Sequence, residues 1–572
     1  MRSLKTVVVG VGAVSLLAIG VGAAAAAPAI GAATALASSG GVKIAYYTQW
    51  SMYQNAFYPK NLDTEGVAAK TTILQYAFEN IDPVNLTCFE TTKSTTQGEA
   101  GESDPNAGDG AEDEWADYQK PFDASISVDG VGDAYNTPLA GQFGQLKKLK
   151  AKYPNLKILL SLGGWTYSKY FSDVAATAAS RQKFVSSCID MFIKGNLPIH
   201  DGVHGGTGVA AGIFDGFDID WEYPGSSAGH LGNHYSANDT ANYTLLLAAF
   251  RSQLDALGGT HRLLTAALPG GADKIAKIET SRIGQYLDYG NVMTFDDHGG
   301  FWEPSGPTNH QTGLYTSPND PMKPVPPGTQ KYSVNDPVQS FVKGDPAYGI
   351  PGGFPAAKLT IGYPMYYRGW TGVPAGNNHG LYGSATGPAP GNPLSGNVRG
   401  VSYYKEIKSV VDNDAYWDDL AKASYFYDGT NWWSGENARS VQAKADYQHC
   451  QGLAGAMVYS LEDDDPSMSL YNRIVNATNG AAPATCTTPP TGGPTTPPTT
   501  GPTTPPTTGP TTPPTTPPTT GPAQYPAWEA YHAYATGALV SYNGINYQCI
   551  QGHTSLPGWE PPNVPALWKA LS

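Results

Sequence analysis

The chain has 572 residues, too many for one compact domain of ordinary size, and its 40% hydrophobic and 11% aromatic content supplies material for a large core. Its 48 acidic against 34 basic side chains leave a formal charge of −14, which argues against nucleic acid or anionic lipid as partners and is compatible with a neutral polysaccharide. The 12 Trp and 35 Tyr suit such a ligand, because aromatic faces stack on the C–H faces of pyranose rings, although core packing claims most of them.

At the N-terminus Arg2 and Lys5 precede an apolar run from Thr6 to about Ala27, followed by Ala35-Leu36-Ala37. This reads as a secretory signal over 1–37, cut after Ala37, and predicts an extracellular protein. No other stretch is long and apolar enough to span a bilayer. The five cysteines, Cys88, Cys188, Cys450, Cys486 and Cys549, show no metal-binding spacing, and their odd number leaves one unpaired. The pairing expected is Cys88 with Cys188 and Cys450 with Cys486, leaving Cys549 free, though spacing does not fix connectivity.

From Val42 onward, β-rich apolar runs alternate with helix-like stretches. Strands are predicted at 42–50, 71–81, 157–164, 216–223, 263–270, 291–299, 358–365 and 455–461, with helices at 142–152, 181–193, 243–257 and 441–451 between them. Eight strands in such alternation predict a (β/α)8 TIM barrel over 38–485, whose active site belongs at the C-terminal ends of the strands. Two segments interrupt the pattern. Residues 99–117 carry eight acidic side chains and no basic one, which reads as a solvated loop and is assigned no function. Residues 369–436 hold Tyr403, Tyr404, Tyr425, Tyr427, Trp432 and Trp433 and form a candidate insertion.

Residues 487–522 repeat Gly-Pro-Thr-Thr-Pro-Pro-Thr-Thr and contain nothing to build a core. Such a linker, here 486–522, is extended; at about 3.1 Å per residue, some 36 residues reach on the order of 110 Å. The tail, 523–572, restarts with Trp528, Tyr531, Tyr534, Gly537 and Val540, and Tyr542-Asn543-Gly544-Ile545 predicts a hairpin turn before Tyr547, Trp559 and Trp568. Its opening Trp528, its 537–547 hairpin and its closing Trp568 resemble the small all-β carbohydrate-binding modules of families 5 and 12. Tyr542 and Trp559 are the candidate stacking residues of the module, and Trp528 and Trp568 its core.

Within the fourth strand, 215–224 reads Asp-Gly-Phe-Asp-Ile-Asp-Trp-Glu-Tyr-Pro. Strand alternation puts Asp218, Asp220 and Glu222 on one face and Phe217, Ile219, Trp221 and Tyr223 on the other. Three carboxyls confined on one face repel, so at least one holds its proton above the ordinary range, as general acid catalysis on a sugar leaving group requires. Asp215, Asp218, Asp220 and Glu222 fill the Asp-x-x-Asp-x-Asp-x-Glu signature of family-18 glycoside hydrolases, the chitinases, and the stretch resembles it throughout.

That resemblance implies hydrolysis of β-1,4-linked N-acetylglucosamine polymers, with Glu222 as the acid, Asp220 holding the substrate's acetamido group, and Asp218 sharing a proton with Asp220. Ser161-Leu162-Gly163-Gly164-Trp165 matches the family's third-strand pattern: Ser161 and Tyr46 bond Asp218 from beneath, Gly164 permits close approach, and Trp165 floors the groove beyond the cleavage point. Met293-Thr294-Phe295-Asp296 matches the sixth-strand Met-x-Tyr-Asp, so Met293, Phe295 and Asp296 carry over, Asp296 among the catalytic residues, with Phe295 where a Tyr usually donates its hydroxyl. Tyr363 and Arg368 of the seventh strand, Tyr223, and Tyr459 in place of the family's Trp complete the substrate-binding set. Loss of the hydroxyl at Phe295 costs about 10²-fold in rate by analogy with other oxyanion donors, unless Tyr363 or a water replaces it. In chitinases the segment corresponding to 369–436 is a small α+β insertion that forms one wall of the groove. No metal and no cofactor are expected; the expected partners are chitin and N-acetylglucosamine oligomers, with no nucleic acid, no membrane, and a monomeric chain. Two other readings share the signature: an endo-β-N-acetylglucosaminidase acting on glycoprotein glycans, and a non-catalytic chitin-binding lectin, which typically lacks the acid that Glu222 supplies here.

Overall fold

A computed structural model describes residues 40–490 and, except for 530, 531, 556–559, 563 and 566, residues 525–571. The predicted signal segment over 1–37, nearly all of the Pro/Thr linker and Trp559 lie outside the described residues. Eight parallel strands close a TIM barrel: β1 (Val42–Thr48), β2 (Ile73–Glu79), β3 (Lys157–Gly163), β4 (Gly216–Asp220), β5 (Leu263–Leu268), β6 (Tyr289–Val292), β7 (Leu359–Pro364) and β8 (Gly455–Tyr459). Each pairs with its neighbours in chain order, and β8 returns to β1.

Alternation along the strands separates two apolar layers. Outward residues such as Leu160, Leu162, Phe217 and Ile219 join the main core between sheet and helices, while inward ones such as Val42, Ile44, Ile73 and Leu159 fill the barrel. The covering helices include Gly141–Lys152, Ala178–Cys188, Asp239–Ala256 and Ala438–Gln451, close to the sequence reading, plus Asn335–Val342 and Ser469–Thr478, which it did not foresee.

All eight strands end short of their predicted bounds, β6 and β4 by the most, and in those two a hydroxyl takes over the ladder. Past Val292, the Thr294 hydroxyl accepts from the Gly362 N–H (2.9 Å) and donates to the Gly362 carbonyl (3.0 Å), filling the main-chain positions that would have continued β6. Past Asp220, the Ser168 hydroxyl donates to the Asp220 carbonyl (3.0 Å) and accepts from the Glu222 N–H (2.9 Å). The residues so released, 293–297 and 221–223, are those that carry site chemistry.

The reading of 99–117 as a solvated loop is corrected. Glu112, Glu114 and Asp117 are buried, because amides and hydroxyls hold them. Gln49 donates to Asp117 (2.6 Å) and Glu112 (3.1 Å), the Asn80 N–H donates to Glu112 (2.7 Å), and Tyr76 donates to Asp117.

After β7 an antiparallel sheet forms from Tyr366–Thr371, Val401–Tyr403, Ala415–Asp418, Ala423–Tyr427 and Trp432–Ser434, with Gly387–Pro388 on its edge and the helix Tyr404–Asn413 beside it, an α+β insertion as expected. Cys88–Cys188 and Cys450–Cys486 are disulfides and Cys549 is in none, matching the expected pairing. In the tail, Leu539–Tyr542, Ile545–Cys549 and Trp568–Leu571 form a three-stranded antiparallel sheet over a core of Tyr534, Val540, Tyr547, Cys549 and Trp568. The Asn543-Gly544 turn has positive φ at both residues, the geometry a tight hairpin needs.

Candidate active site

Strand register builds the site from its base upward. Ser161 of β3 lies opposite Asp218 of β4, and Asp218 opposite Thr265 of β5. All three face the barrel interior, so the fully buried Asp218 accepts hydrogen bonds from Ser161 (2.8 Å), Thr265 (2.5 Å) and Tyr46 (2.9 Å). Three hydroxyl donors favour its charged form and partly offset burial, which still raises its pKa.

One strand step higher, Asp220 is 4% exposed, and its Oδ1 has no partner among the described residues. Burial, then Glu222 and Asp218, push its carboxyl well above the usual range. Glu222 lies just past the strand end and is held by its main chain: Ser168 takes its N–H and Asn233 donates to its carbonyl (3.0 Å). Burial raises its pKa to about 7, a hydrogen bond from Tyr223 opposes that, and the charges of Asp296 and Glu102 add to it.

Asp220 and Glu222 open into a cavity of about 930 Å³ at the C-terminal ends of the strands. Tyr46, Trp165, Tyr223, Met293, Phe295, Asp296, Arg368 and Tyr459 line it, as the sequence reading anticipated. Tyr223 does so because β4 has already ended, so the alternation that turns Phe217, Ile219 and Trp221 into the outer core no longer applies to it. Trp165 is 37% exposed, its indole N–H donating to Glu102 (3.0 Å). Asp296 adopts φ +61° at the turn after β6 and pairs with Arg368 (2.7 Å). Tyr459 packs on Tyr46 (centroids 5.3 Å apart) and Phe295 (6.4 Å).

Other residues sit elsewhere. Ser161 and Asp218 lie beneath the cavity rather than on its wall. Gly164, with φ +78°, also stays off the wall; a Cβ there would meet the Phe78 ring at 2.8 Å, so its role is to let Phe78 in. Tyr363 does not reach the cavity. Its neighbour Gly362 faces inward, against the Phe295 ring, so Tyr363 points outward into the main core beneath the Lys444 ammonium (5.4 Å), its buried hydroxyl unpartnered among the described residues. It cannot replace the hydroxyl missing at Phe295. Tyr367 is likewise buried in the outer core, its hydroxyl on the Glu436 carbonyl.

Sequence reasoning missed Tyr366. It lines the cavity, packs edge-on against Phe295 (6.2 Å) and Tyr459 (6.4 Å), and lies within the field of Asp296 and Arg368. The available sign was the alternation itself, which runs on unbroken from the inward Gly362: Tyr366 and Arg368 reach the cavity, while Tyr363, Met365 and Tyr367 turn into the outer core. Phe78, Trp302 and Tyr403 also line the cavity and carried no local motif.

The two insertions that line the cavity touch each other at its edge. Glu99, from the first, accepts from the Arg399 main-chain N–H (2.9 Å), Nε (2.9 Å) and Nη2 (2.9 Å) of the second. Among the described residues, the one cluster of three or more metal-capable side chains, Glu79, Glu90 and Asp117, lies outside the cavity.

Residues 42–464 match the profile of Glycosyl hydrolases family 18, and residues 527–569 that of Carbohydrate-binding module family 5/12. Chitinase C of Streptomyces lividans is 33% identical over 450 residues, covering 76% of this chain and 61% of that protein. Chitinase A1 of Niallia circulans is 34% identical over 484 residues, covering 80% and 62%. The chain thus spans about three fifths of the length of these relatives. The catalytic domain of a psychrophilic chitinase B from Arthrobacter TAD20 superposes with a TM-score of 0.69 at 40% identity, covering 79% of this chain and 99% of that one.

Proposed function

The chain belongs to glycosyl hydrolase family 18, and from that premise we propose that it is a secreted chitinase that hydrolyses β-1,4-N-acetylglucosamine linkages with retention, the substrate's own acetamido oxygen acting as nucleophile. The observation that carries this reading is the ascending column of carboxyls: Asp218 bonded by three hydroxyls, Asp220 with an unpartnered oxygen, and Glu222, its pKa lifted by burial to about 7, beside an aromatic-lined cavity.

In the proposed cycle Glu222, still protonated near neutrality, gives its proton to the glycosidic oxygen as the C1–O bond breaks. The acetamido carbonyl oxygen bonds to C1, forming an oxazolinium ion. Asp220 accepts the acetamido N–H through its unpartnered oxygen and offsets the positive charge. Asp218, fixed from beneath, exchanges a proton with it. The Glu222 carboxylate then takes a proton from water as that water attacks C1, which reopens the ring and restores the acid. Trp165 and Tyr459 stack on sugar rings, and Tyr366 supplies the hydroxyl that Phe295 lacks.

Secretion is supported by the 1–37 segment and by two disulfides, which persist in oxidising compartments. The tail module is proposed to hold solid chitin through Tyr542, which is half-buried against Trp528, and Trp559.

The test is Glu222→Gln against an N-acetylglucosamine hexamer and a glycopeptide. Hexamer cleavage to β-anomeric products should fall about 10²- to 10⁴-fold while oligomer binding persists. Near wild-type turnover in the variant, or α products from the native chain, would overturn the mechanism, and cleavage of the glycopeptide alone would favour an endo-β-N-acetylglucosaminidase.

A further inference from the structure

Behind the cavity wall lies a second group of carboxyls with no part in the proposed reaction. Glu79 ends β2, Glu90 belongs to the segment that follows it, and Asp117 sits in the turn Trp115–Gln119. One oxygen from each lies within 4.8 Å of the other two, and the residues are 0%, 4% and 0% exposed. Asp117 is oriented by Gln49 and Tyr76. Both oxygens of Glu79 and both of Glu90 have no hydrogen-bond donor among the described residues. Glu112, itself buried and held by Gln49 and the Asn80 N–H, lies near Glu79, and its charge adds to the repulsion. Basic side chains of this wall are engaged elsewhere, Lys169 with Asp109 and His200 with Glu114.

Burying one unpaired carboxylate is costly, and burying three that repel one another is costlier. Two arrangements remove that cost: shared protons, or a cation among them. The geometry favours the cation. Two oxygens on opposite sides of a Ca2+ ion, each at about 2.4 Å, are about 4.8 Å apart, and three carboxylates offer up to six oxygens, the number at which Ca2+ coordination begins. An all-oxygen set suits a hard cation rather than zinc or copper.

We propose that Glu79, Glu90 and Asp117 bind a Ca2+ ion that fastens the first insertion to the barrel end of β2. The fastened segment carries Glu102, which holds the Trp165 indole, and it adjoins Tyr167, which lines the cavity within the field of Glu79, Glu112 and Asp117. The ion therefore acts on groove shape and stability, and touches no reacting atom. This proposal is independent of the reaction assigned above.

The test uses the full chain, stripped with EDTA and desalted. Equilibrium dialysis with radioactive Ca2+ should find a single ion bound per chain, and saturating Ca2+ should raise the Tm by about 5 °C. Glu90→Gln should lose both the ion and the shift. Should that variant not fold, Tb3+ luminescence of the native chain excited through tyrosine, quenched by added Ca2+, reads the same site, because the Tyr76 hydroxyl bonds Asp117. Three results would overturn the proposal: a native chain that binds no Ca2+, an ion retained by Glu90→Gln, or a Tm indifferent to Ca2+ with Glu90→Gln at least as stable as the native chain, the outcome that proton-sharing carboxyls give.

Discussion

Burial first, and charge from outside its own strand second, set Glu222 apart. Burial does most to lift its carboxyl to about 7, and Asp296, from the turn after β6, adds to it across the cavity. A general acid must keep its proton, so kcat/KM falls as pH rises through that value. Asp296→Asn removes a neighbouring negative charge, makes ionisation of Glu222 easier, and should move the alkaline limb of the pH profile to lower pH. A limb that stays in place while the rate drops would restrict Asp296 to holding Arg368. The hydroxyl absent at Phe295 is assigned to Tyr366, and Tyr366→Phe should lower kcat about 10²-fold with little change in KM. Tyr363→Phe, far from the cavity in the outer core, should leave both unchanged. The family resemblance pointed to Tyr363 because it sits in the matching strand; what decides the matter is that Gly362 faces inward, which forces its neighbour outward.

Among the elements, the strands were the most legible. An inward polar or small residue alternating with an outward branched or aromatic one is visible along β3 and β4 without any structure. Their ends were not, because Thr294 and Ser168 stop two ladders by hydrogen bonds to residues remote in sequence. The acidic segment misled for a related reason: charge density reads as solvation unless one knows that Gln49, Tyr76 and Asn80 stand ready to receive it. Gly163 shows how tightly β3 and β4 abut. It has φ +108°, and a Cβ there would lie 2.1 Å from the Asp220 carbonyl oxygen, which cannot move without displacing the carboxyl column. Gly163→Ala should therefore cost at least about 1–3 kcal/mol in denaturant unfolding and disturb activity out of proportion to that loss. Wild-type stability in that variant would mean the strand ends are looser than the register implies.

Across the whole chain, composition divides labour. An aromatic-rich barrel and an aromatic-rich tail are joined by a Pro/Thr stretch that builds no core. Removing 525–572 should weaken adsorption to solid chitin and its hydrolysis several-fold while sparing short soluble oligomers, as compared by activity on both substrates. Equal losses on the two would reject an accessory role for the tail. The barrel's own walls bear on access as well. Glu99 and Arg399 meet at the surface, their side chains 33% and 60% exposed. An ion pair so placed is worth at most about 1 kcal/mol, roughly a fivefold bias toward contact. A contact of that strength rests formed yet gives way to ordinary thermal motion, and added salt should loosen the hold of one wall segment on the other.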